Sequence, residues 1–564
     1  MFKKSAILYI LLGTLPLLFN LSAQVVPTVD DFNQPKTSPV LKAPIEKDLS
    51  INTIPSEITV MIRSIEFVGN NLFSSEELNQ IFLDQLPQEM TFDQLAQMAD
   101  QVSNFYRLQG YWVAAILPEQ IFTDEILIIE VLESSLGEAI IQTEEESLNI
   151  PINKLEKYLT HRLNSNSILN TFQLEKNIAN INAIPGLISM ANLQPGQKEL
   201  STDILLSVYN TPTYNFNTTF DNYGSRASGE ERLINALSFK GLLNKGESID
   251  ISQAHTQGSD YTAVSTNFPV GYGGGRTTWR YSHMAYELGT PFNSTKPSGT
   301  SEEVYIDLSS KLFQIQKFNF SGRVAASHTN YDNDLLTGKS NKKYIEKIVA
   351  NFSFDSQDSL LLGGISYGDV ALTQGILNLK GYSTDYDNDQ LSAKTHGPYS
   401  KVALSFGKIQ QINSSDQLSL KFSSQYAFKN LDGAEQLSLG GSSGVRAYPS
   451  GEGSGSHGFL TNFEYKKQLF DNFSISAFYD YGMVQVYKNT YSGWNLTNSS
   501  HKNQYFLKGA GVGASLVLNE YASISYQYAK KIGNNNGKDT DGNNSDGLNL
   551  SERHLFSLQI NYQF

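Results

Sequence analysis

The chain has 564 residues, no cysteine and a formal net charge of -14. Lack of cysteine excludes disulfides and thiolate metal sites, acidity without a basic domain excludes a nucleic-acid footprint, and the length calls for several domains. Tyr (30), Phe (31) and Gly (43) are abundant while mean hydropathy is -0.30, a balance unlike that of a cytosolic enzyme.

Lys3 and Lys4 precede an apolar run over residues 6–19 and the small-residue end Leu21-Ser22-Ala23. These are the three regions of a secretory signal peptide, which we place at residues 1–23. The run is short for a membrane helix, and no later stretch reaches the roughly 18 uncharged apolar residues that a helical span requires. Residues 24–58 carry Pro27, Pro35, Pro39, Pro44 and Pro55 among polar neighbours, the composition of a linker.

A different pattern fills residues 60–134. Ile62, Ile65, Phe67 and Val68 read as a strand, Ser74 and Glu77 as a capping box opening a short helix, and Phe92, Leu95, Met98, Ala99, Val102 and Phe105 as a helical stripe. Gly110 ends that helix, and strands are expected over 111–117 and 125–131. This order resembles a polypeptide-transport-associated (POTRA) domain, and the run from Tyr106 through Arg107 and Gly110 to Tyr111 and Trp112 resembles its helix-to-strand junction. Those five residues are either client-binding candidates or packing at a helix end. Residues 136–209 repeat the order, with strands near 139–142, 187–193 and 203–208 and helices near 152–159 and 169–182. The free edges of such small sheets can accept an extended partner strand.

The remainder, 211–564, holds sixteen segments of strand character, near Tyr214, Ala236, Ile251, Val264, Trp279, Ile306, Phe320, Val349, Ile365, Val402, Leu420, Phe463, Ile475, Val512, Ile524 and Ile560. Short connections near Leu243, Tyr272, Gln316, Ser356, Ser414, Asp471 and Glu520 alternate with long polar ones at 287–302, 375–397, 429–458, 487–503 and 533–553. That alternation marks a transmembrane barrel with its short turns in the periplasm. Both ends of the barrel then lie on the periplasmic side, so the strand number is even. Tyr214, Phe216 and Phe220 in the first segment and Phe556, Leu558, Ile560 and Tyr562 in the last each share one face, so those two strands can close the barrel.

Between the eleventh and twelfth segments the stretch 437–458 is rich in Gly and Ser but carries one Arg, Arg446, and one Tyr, Tyr448. Two-residue periodicity in the strands that follow puts Glu464 and Asp480 on the face opposite Phe463, Tyr465, Tyr479 and Tyr481, hence in the lumen. A guanidinium folded inward can fork onto such carboxylates. Gly509, Gly511 and Gly513 share the lumenal face of the fourteenth segment, where they either leave room for the loop or ease barrel curvature.

Gly444-Val445-Arg446-Ala447-Tyr448 resembles the Val-Arg-Gly-Tyr/Phe motif of a sixth extracellular loop. The run with Phe478, Asp480 and Gly482 resembles the Phe-x-Asp-x-Gly motif of a thirteenth strand. Both belong to the ShlB/FhaC/HecB transporters of two-partner secretion, from which Ala447 departs in place of the usual Gly. The resemblance implies an all-β, 16-stranded antiparallel outer-membrane barrel with two α+β POTRA domains in the periplasm, and a plug helix before them, for which residues 26–33 are the candidate. It implies a large secreted exoprotein as client (adhesin, haemolysin or contact-dependent inhibition toxin), membrane lipid as surroundings, recognition of terminal Phe564 by the outer-membrane assembly machinery, and a monomer. No enzyme activity, cofactor, metal or nucleic acid is expected. The alternative is a barrel-insertion factor of the same superfamily.

Other patterns carry less. Gly440 to Gly444 fits G-x-S-x-G without the strand-to-helix turn that an esterase needs. Gly453, Gly455 and Gly458 fit G-x-G-x-x-G with a strand after them instead of a helix. Asp539, Asp541, Asn543 and Asp546 lack the final Glu of a calcium loop, and the eight His form no zinc pair.

Overall fold

The computed structural model describes residues 59–122, 124–164, 167–315, 317–495, 502–539 and 542–563. The expected signal peptide, the plug-helix candidate and Phe564 lie outside the described residues.

The first periplasmic domain runs β1 (Thr59–Ile62), β2 (Ser64–Val68), α1 (Ser75–Asn79), β3 (Gln88–Thr91), α2 (Phe92–Leu108), β4 (Val113–Ile116) and β5 (Ile126–Glu133). The Ser74/Glu77 capping box opens α1, and a second box, Thr91 with Gln94, opens α2. Leu95, Met98, Ala99, Val102 and Tyr106 bury one stripe of α2 against the sheet β2-β5-β4, which mixes parallel β2/β5 with antiparallel β4/β5. The short β3, paired with β1, was not expected, because Met90 is the only strongly apolar side chain in Gln-Glu-Met-Thr. The second domain repeats the topology with β6 (Ser135–Gln142), α3 (Ile152–Leu159), α4 (Thr171–Asn182), β7 (Leu187–Pro195) and β8 (Ser201–Asn210) in sheet β6-β8-β7. Its second helix starts at 171, later than expected, because Asn170 serves as N-cap to the Gln173 amide at 2.8 Å.

The strand expected from Tyr111 begins instead at Val113. Tyr111 bridges to Asn170, and the Trp112 amide donates to the Leu169 carbonyl at 3.1 Å, so both residues tie the two domains together. Thr171 N–H donates to Gly110 O at 2.8 Å, and Leu169 N–H to Ser134 O at 2.9 Å. Gly110 sits at φ +85°, where an added Cβ would lie 2.3 Å from the Phe172 ring of α4. Gly110→Ala is therefore expected to weaken the junction by about 1–2 kcal/mol from backbone strain alone. Limited proteolysis of the full-length protein should show faster cleavage around this junction, with the barrel unaffected.

The wall follows in order: β9 (Tyr214–Asp221), β10 (Arg232–Lys240), β11 (Ser248–Thr256), β12 (Ser259–Val270), β13 (Gly275–Glu287), β14 (Ser298–Ile315), β15 (Phe318–Leu335) and β16 (Gly338–Asp358). Then come β17 (Gly364–Asn378), the loop helix α5 (Ser383–Leu391), β18 (Gly397–Gln411) and β19 (Asp416–Ala427). A two-residue ribbon of β20 (Leu437–Ser438) and β21 (Ser454–Gly455) precedes β22 (His457–Phe470), β23 (Phe473–Gln485), β24 (Gln504–Val517), β25 (Ala522–Lys531) and β26 (Glu552–Gln563). Leaving out β20 and β21, these form one closed antiparallel barrel of sixteen strands, sealed by β26 on β9 from Ser557↔Asp221 to Gln563↔Asn215. Each expected segment centre falls inside a wall strand. Trp279, Val304, Leu308, Val324 and Ile348 point outward, each more than half exposed, as a lipid-facing band requires.

One short connection differs from expectation. Ser356 lies within β16, and the turn there spans residues 359–363. On the outer side, residues 257–258 and 336–337 are tight turns. β15 and β16 run 18 and 21 residues, far beyond the roughly 9–11 that span a membrane, so this hairpin leaves the bilayer as strand. Its inner face stays polar and paired: Tyr286 donates to Asn333 and Asn333 to Asn341, both at 2.7 Å. At the periplasmic end the second domain abuts the turn at 271–274, where the Tyr158 and Tyr272 rings meet edge-on at 5.3 Å.

Candidate functional site

Antiparallel pairing sets the site's floor. Asn462 lies opposite Asp480 and Glu464 opposite Phe478 on β22 and β23, so the two-residue repeat turns all four side chains into the lumen. Above them the loop 428–456 folds inward from the outer rim. Its tip is nearly all main-chain turn: Val445 N–H donates to Leu439 O at 2.7 Å and Gly440 N–H to Glu452 O at 2.9 Å. A Cβ at Gly444 would lie 2.0 Å from Leu439 O, so this crossing admits only glycine. Val445, Ala447 and Tyr448 are fully buried and pack with Leu439, Phe478, Leu507 and Ala529.

Arg446 spans the gap between loop and wall. Its Nε and Nη2 donate to Asp480 Oδ2 and Oδ1 at 3.0 and 2.8 Å, and its Nη1 to Glu464 Oε2 at 2.7 Å. Its own amide also donates to Asp480 Oδ2 at 3.0 Å, and the guanidinium carbon lies 3.4 Å from the Phe478 ring centroid, a desolvated cation-π contact. Asn462 Nδ2 completes the set, donating to Asp480 Oδ1 and to Gly444 O at 2.8 and 2.9 Å. Asp480 is 0% exposed, and its two oxygens receive four donors, which fills a carboxylate's acceptor sites.

The neighbouring glycines make room. Cβ atoms at Gly482 and Gly511 would lie 3.0 Å from Leu439 Cδ2 and 2.4 Å from Phe478 Cζ, and one at Gly509 would lie 2.8 Å from Ala447 Cβ. Gly509 thus offers the space that Ala447 takes, and Ala447 is not at positive φ. Tyr448 is held by its main chain, Arg553 Nη1 donating to its carbonyl at 2.8 Å, and by Lys531 Nζ 4.7 Å over its ring. The structure therefore gathers Gly444, Val445, Arg446, Tyr448, Glu464, Phe478, Asp480 and Gly482 in one place. Asn462 was missed, although it shares the Glu464 face two residues away.

The periplasmic candidates do not form a free surface. Tyr106 is 0% exposed and donates to Glu133 at 2.9 Å; burial, and then that carboxylate, push its hydroxyl pKa well above the usual range. Gly110 and Tyr111 belong to the domain junction, and Trp112 packs on the second domain's core. The main chains and rings of these four take part in packing, the second of the two readings their sequence allows, while Tyr111 and Trp112 stay partly exposed. Arg107 is exposed, and its side chain donates to Asn104 of the same helix at 2.9 Å. Among the described residues no group of His, Asp and Glu has the makings of a metal site, and Asp539 instead accepts the Asn543 amide of its own turn at 2.7 Å.

Comparison with known proteins adds two family matches. Residues 201–516 match the model of the haemolysin secretion/activation protein ShlB/FhaC/HecB, and residues 60–134 that of the ShlB-type POTRA domain. The chain is 24% identical over 561 residues to the heme/hemopexin transporter protein HuxB of Haemophilus influenzae, covering 96% of this chain and 92% of that one. It is 23% identical to the outer membrane transporter CdiB of Dickeya dadantii, covering 74% of each. Among solved structures, CdiB from Escherichia coli superposes with a TM-score of 0.72 at 18% identity, over 96% of this chain and 98% of that one.

Proposed function

The chain belongs to the haemolysin secretion/activation family ShlB/FhaC/HecB, and on that premise we propose that it exports a large partner exoprotein across the outer membrane in two-partner secretion. The client would meet the POTRA domains in the periplasm while unfolded and pass through the lumen to the cell surface. The observation that carries this reading is the inward-folded loop, held on the lumen wall by Arg446 against Asp480 and Glu464. A pore left open would leak, and a loop fixed in place for good would block a client. A single cation shared by two wall carboxylates gives a closed state in which one displacement releases the loop's tip. Arg446, Asp480 and Glu464 thus act as gate residues, with Phe478 and Asn462 orienting them.

No catalytic role, cofactor or metal enters the reading. The barrel would sit in lipid as a monomer, its lipid contact supported by the outward apolar band, and Phe564 would serve as the address read by the assembly machinery. The client would be an adhesin, a haemolysin or a contact-dependent inhibition toxin. Relatives named as transporters favour export over insertion of other barrels.

The test is secretion of a large exoprotein encoded beside this gene. Deleting the gene is expected to abolish its appearance in the medium, at least about tenfold by immunoblot, while other outer-membrane barrels stay at normal levels. Undiminished secretion, or a general loss of barrels, would overturn the reading.

A further inference from the structure

Upstream of Arg446, the same loop carries a second set of charges that the gate does not use. Asp432 precedes and Glu435 ends a single helical turn, Gly433–Glu435, which Asp432 caps through the Ala434 amide at 3.0 Å. Both oxygens of Asp432 accept from Lys343 Nζ at 2.8 Å. Glu435 accepts from Lys347 Nζ at 2.7 Å through Oε1, and its Oε2 lies 2.8 Å from Lys401 Nζ. Lys401 Nζ and Gln425 Nε2 also donate to the Glu435 carbonyl, at 2.8 and 3.0 Å.

The division of charge is what matters. All three cations come from the wall, Lys343 and Lys347 on β16 and Lys401 on β18, and both anions come from the loop. Lys343 and Glu435 side chains are 3% and 4% exposed, Asp432 and Lys401 15% and Lys347 28%, so the centre of the set is shielded from water while the loop is in. Other carboxylates nearby are differently placed: Glu303 on β14 is engaged by Arg280 at 2.9 Å, and Asp385 sits on the separate helix α5. Removing the loop would leave the lysines without their counter-ions, a state tolerable only once water fills the lumen.

We propose that Asp432 and Glu435 are positioning residues that anchor the base of the loop to β16 and β18, and that releasing them uncovers a lumenal patch of three lysines favouring anions. The inference rests on the loop being the lumen plug. It gives the plug two separate fastenings, one at its tip and one at its base, on opposite flanks of the loop. An acidic stretch of a passing chain is the chemistry that would compete for the lysines and so loosen the base.

The test is single-channel recording of the purified full-length protein in planar bilayers under a KCl gradient. Asp432→Asn with Glu435→Gln is expected to raise open probability about tenfold or more, since several hydrogen bonds between charged groups are lost. Its open state should favour chloride over potassium, and that preference should vanish when Lys343, Lys347 and Lys401 are also changed to Gln. Lys343→Asp alone should open the channel, and Lys343→Asp with Asp432→Lys should close it again. Folding of each variant is read from its shift in gel mobility on heating; if the double variant does not fold, Glu435→Gln alone carries the same expectation. Wild-type gating in a folded Asp432→Asn/Glu435→Gln variant, beside an Arg446→Ala variant that opens, would overturn the anchor and leave the plug standing. If neither variant changes conductance, the plug itself is wrong.

Discussion

Arg446→Ala is expected to release the loop from the lumen and to cut exoprotein secretion sharply, with the barrel still folded. Asp480 is fully buried and would keep only two of its four donors, the amide of residue 446 and Asn462. Removing one partner of a buried ion pair costs about 3–5 kcal/mol, because the surviving charge stays desolvated. The protein avoids most of that cost by letting the loop tip leave and water enter, since the loop is joined covalently to the wall only at its ends. The readout on whole cells is protease cleavage within residues 437–458, expected in the variant and absent in the wild type. Arg446→Lys should fall between, because an ammonium is a point charge without the planar fork that reaches Asp480 and Glu464 together. Arg446→Asp with Asp480→Arg should recover part of the secretion. A loop still protected in Arg446→Ala would shift the burden to its other fastenings, among them buried Glu452, which accepts the Ser545 amide at 2.6 Å.

Much of this site could be read from parity alone. Once β22 and β23 are taken as strands, Phe463 and Tyr479 on the lipid face fix Glu464 and Asp480 on the lumenal one, and Arg446 is the only cation in the glycine-rich stretch between strands. Wall strands are likewise legible because one face must be apolar for lipid, which imposes a two-residue rhythm. Where that demand lapses, the rhythm does too. The outer halves of β15 and β16 stand clear of the membrane, so their polar run around Asn333 and Asn341 carries no such rhythm although it is strand. In Gln88–Thr91 there is too little apolar content for any rhythm.

The base anchor was invisible for another reason. Lys343 and Lys347 lie 89 and 88 positions from Asp432 and Glu435, and only the path of the loop across the lumen brings them together. The aromatic cluster at Tyr106, Tyr111 and Trp112 left two readings open in the sequence. Aromatics beside a helix-ending glycine can signal recognition or packing, and the packing seen here, Tyr106 in its own domain's core, Tyr111 bridged to Asn170 and Trp112 on the core of the next domain, consists of tertiary contacts with no local signature.

Shape and charge at the gate can be separated by Gly509. Its backbone is not at positive φ, so Gly509→Ala carries no left-handed strain and acts through space alone. The new Cβ would lie 2.8 Å from Ala447 Cβ, closer than two carbon atoms tolerate, and 3.5 Å from Val445 Cγ1, an ordinary contact. Overpacking of this kind costs about 1–3 kcal/mol, and here the yielding partner is the loop, because the other neighbour, Lys530 O at 3.4 Å, belongs to the wall. Gly509→Ala is therefore expected to expose the loop to protease and lower secretion with every charge in place. Ala447→Gly removes the atom that collides, so the double variant should return to near wild-type protection, a non-additivity that contacting residues show and distant ones do not. If the double variant stays as open as Gly509→Ala alone, the wall and not the loop has moved, and the tip does not owe its seat to the gap at Gly509.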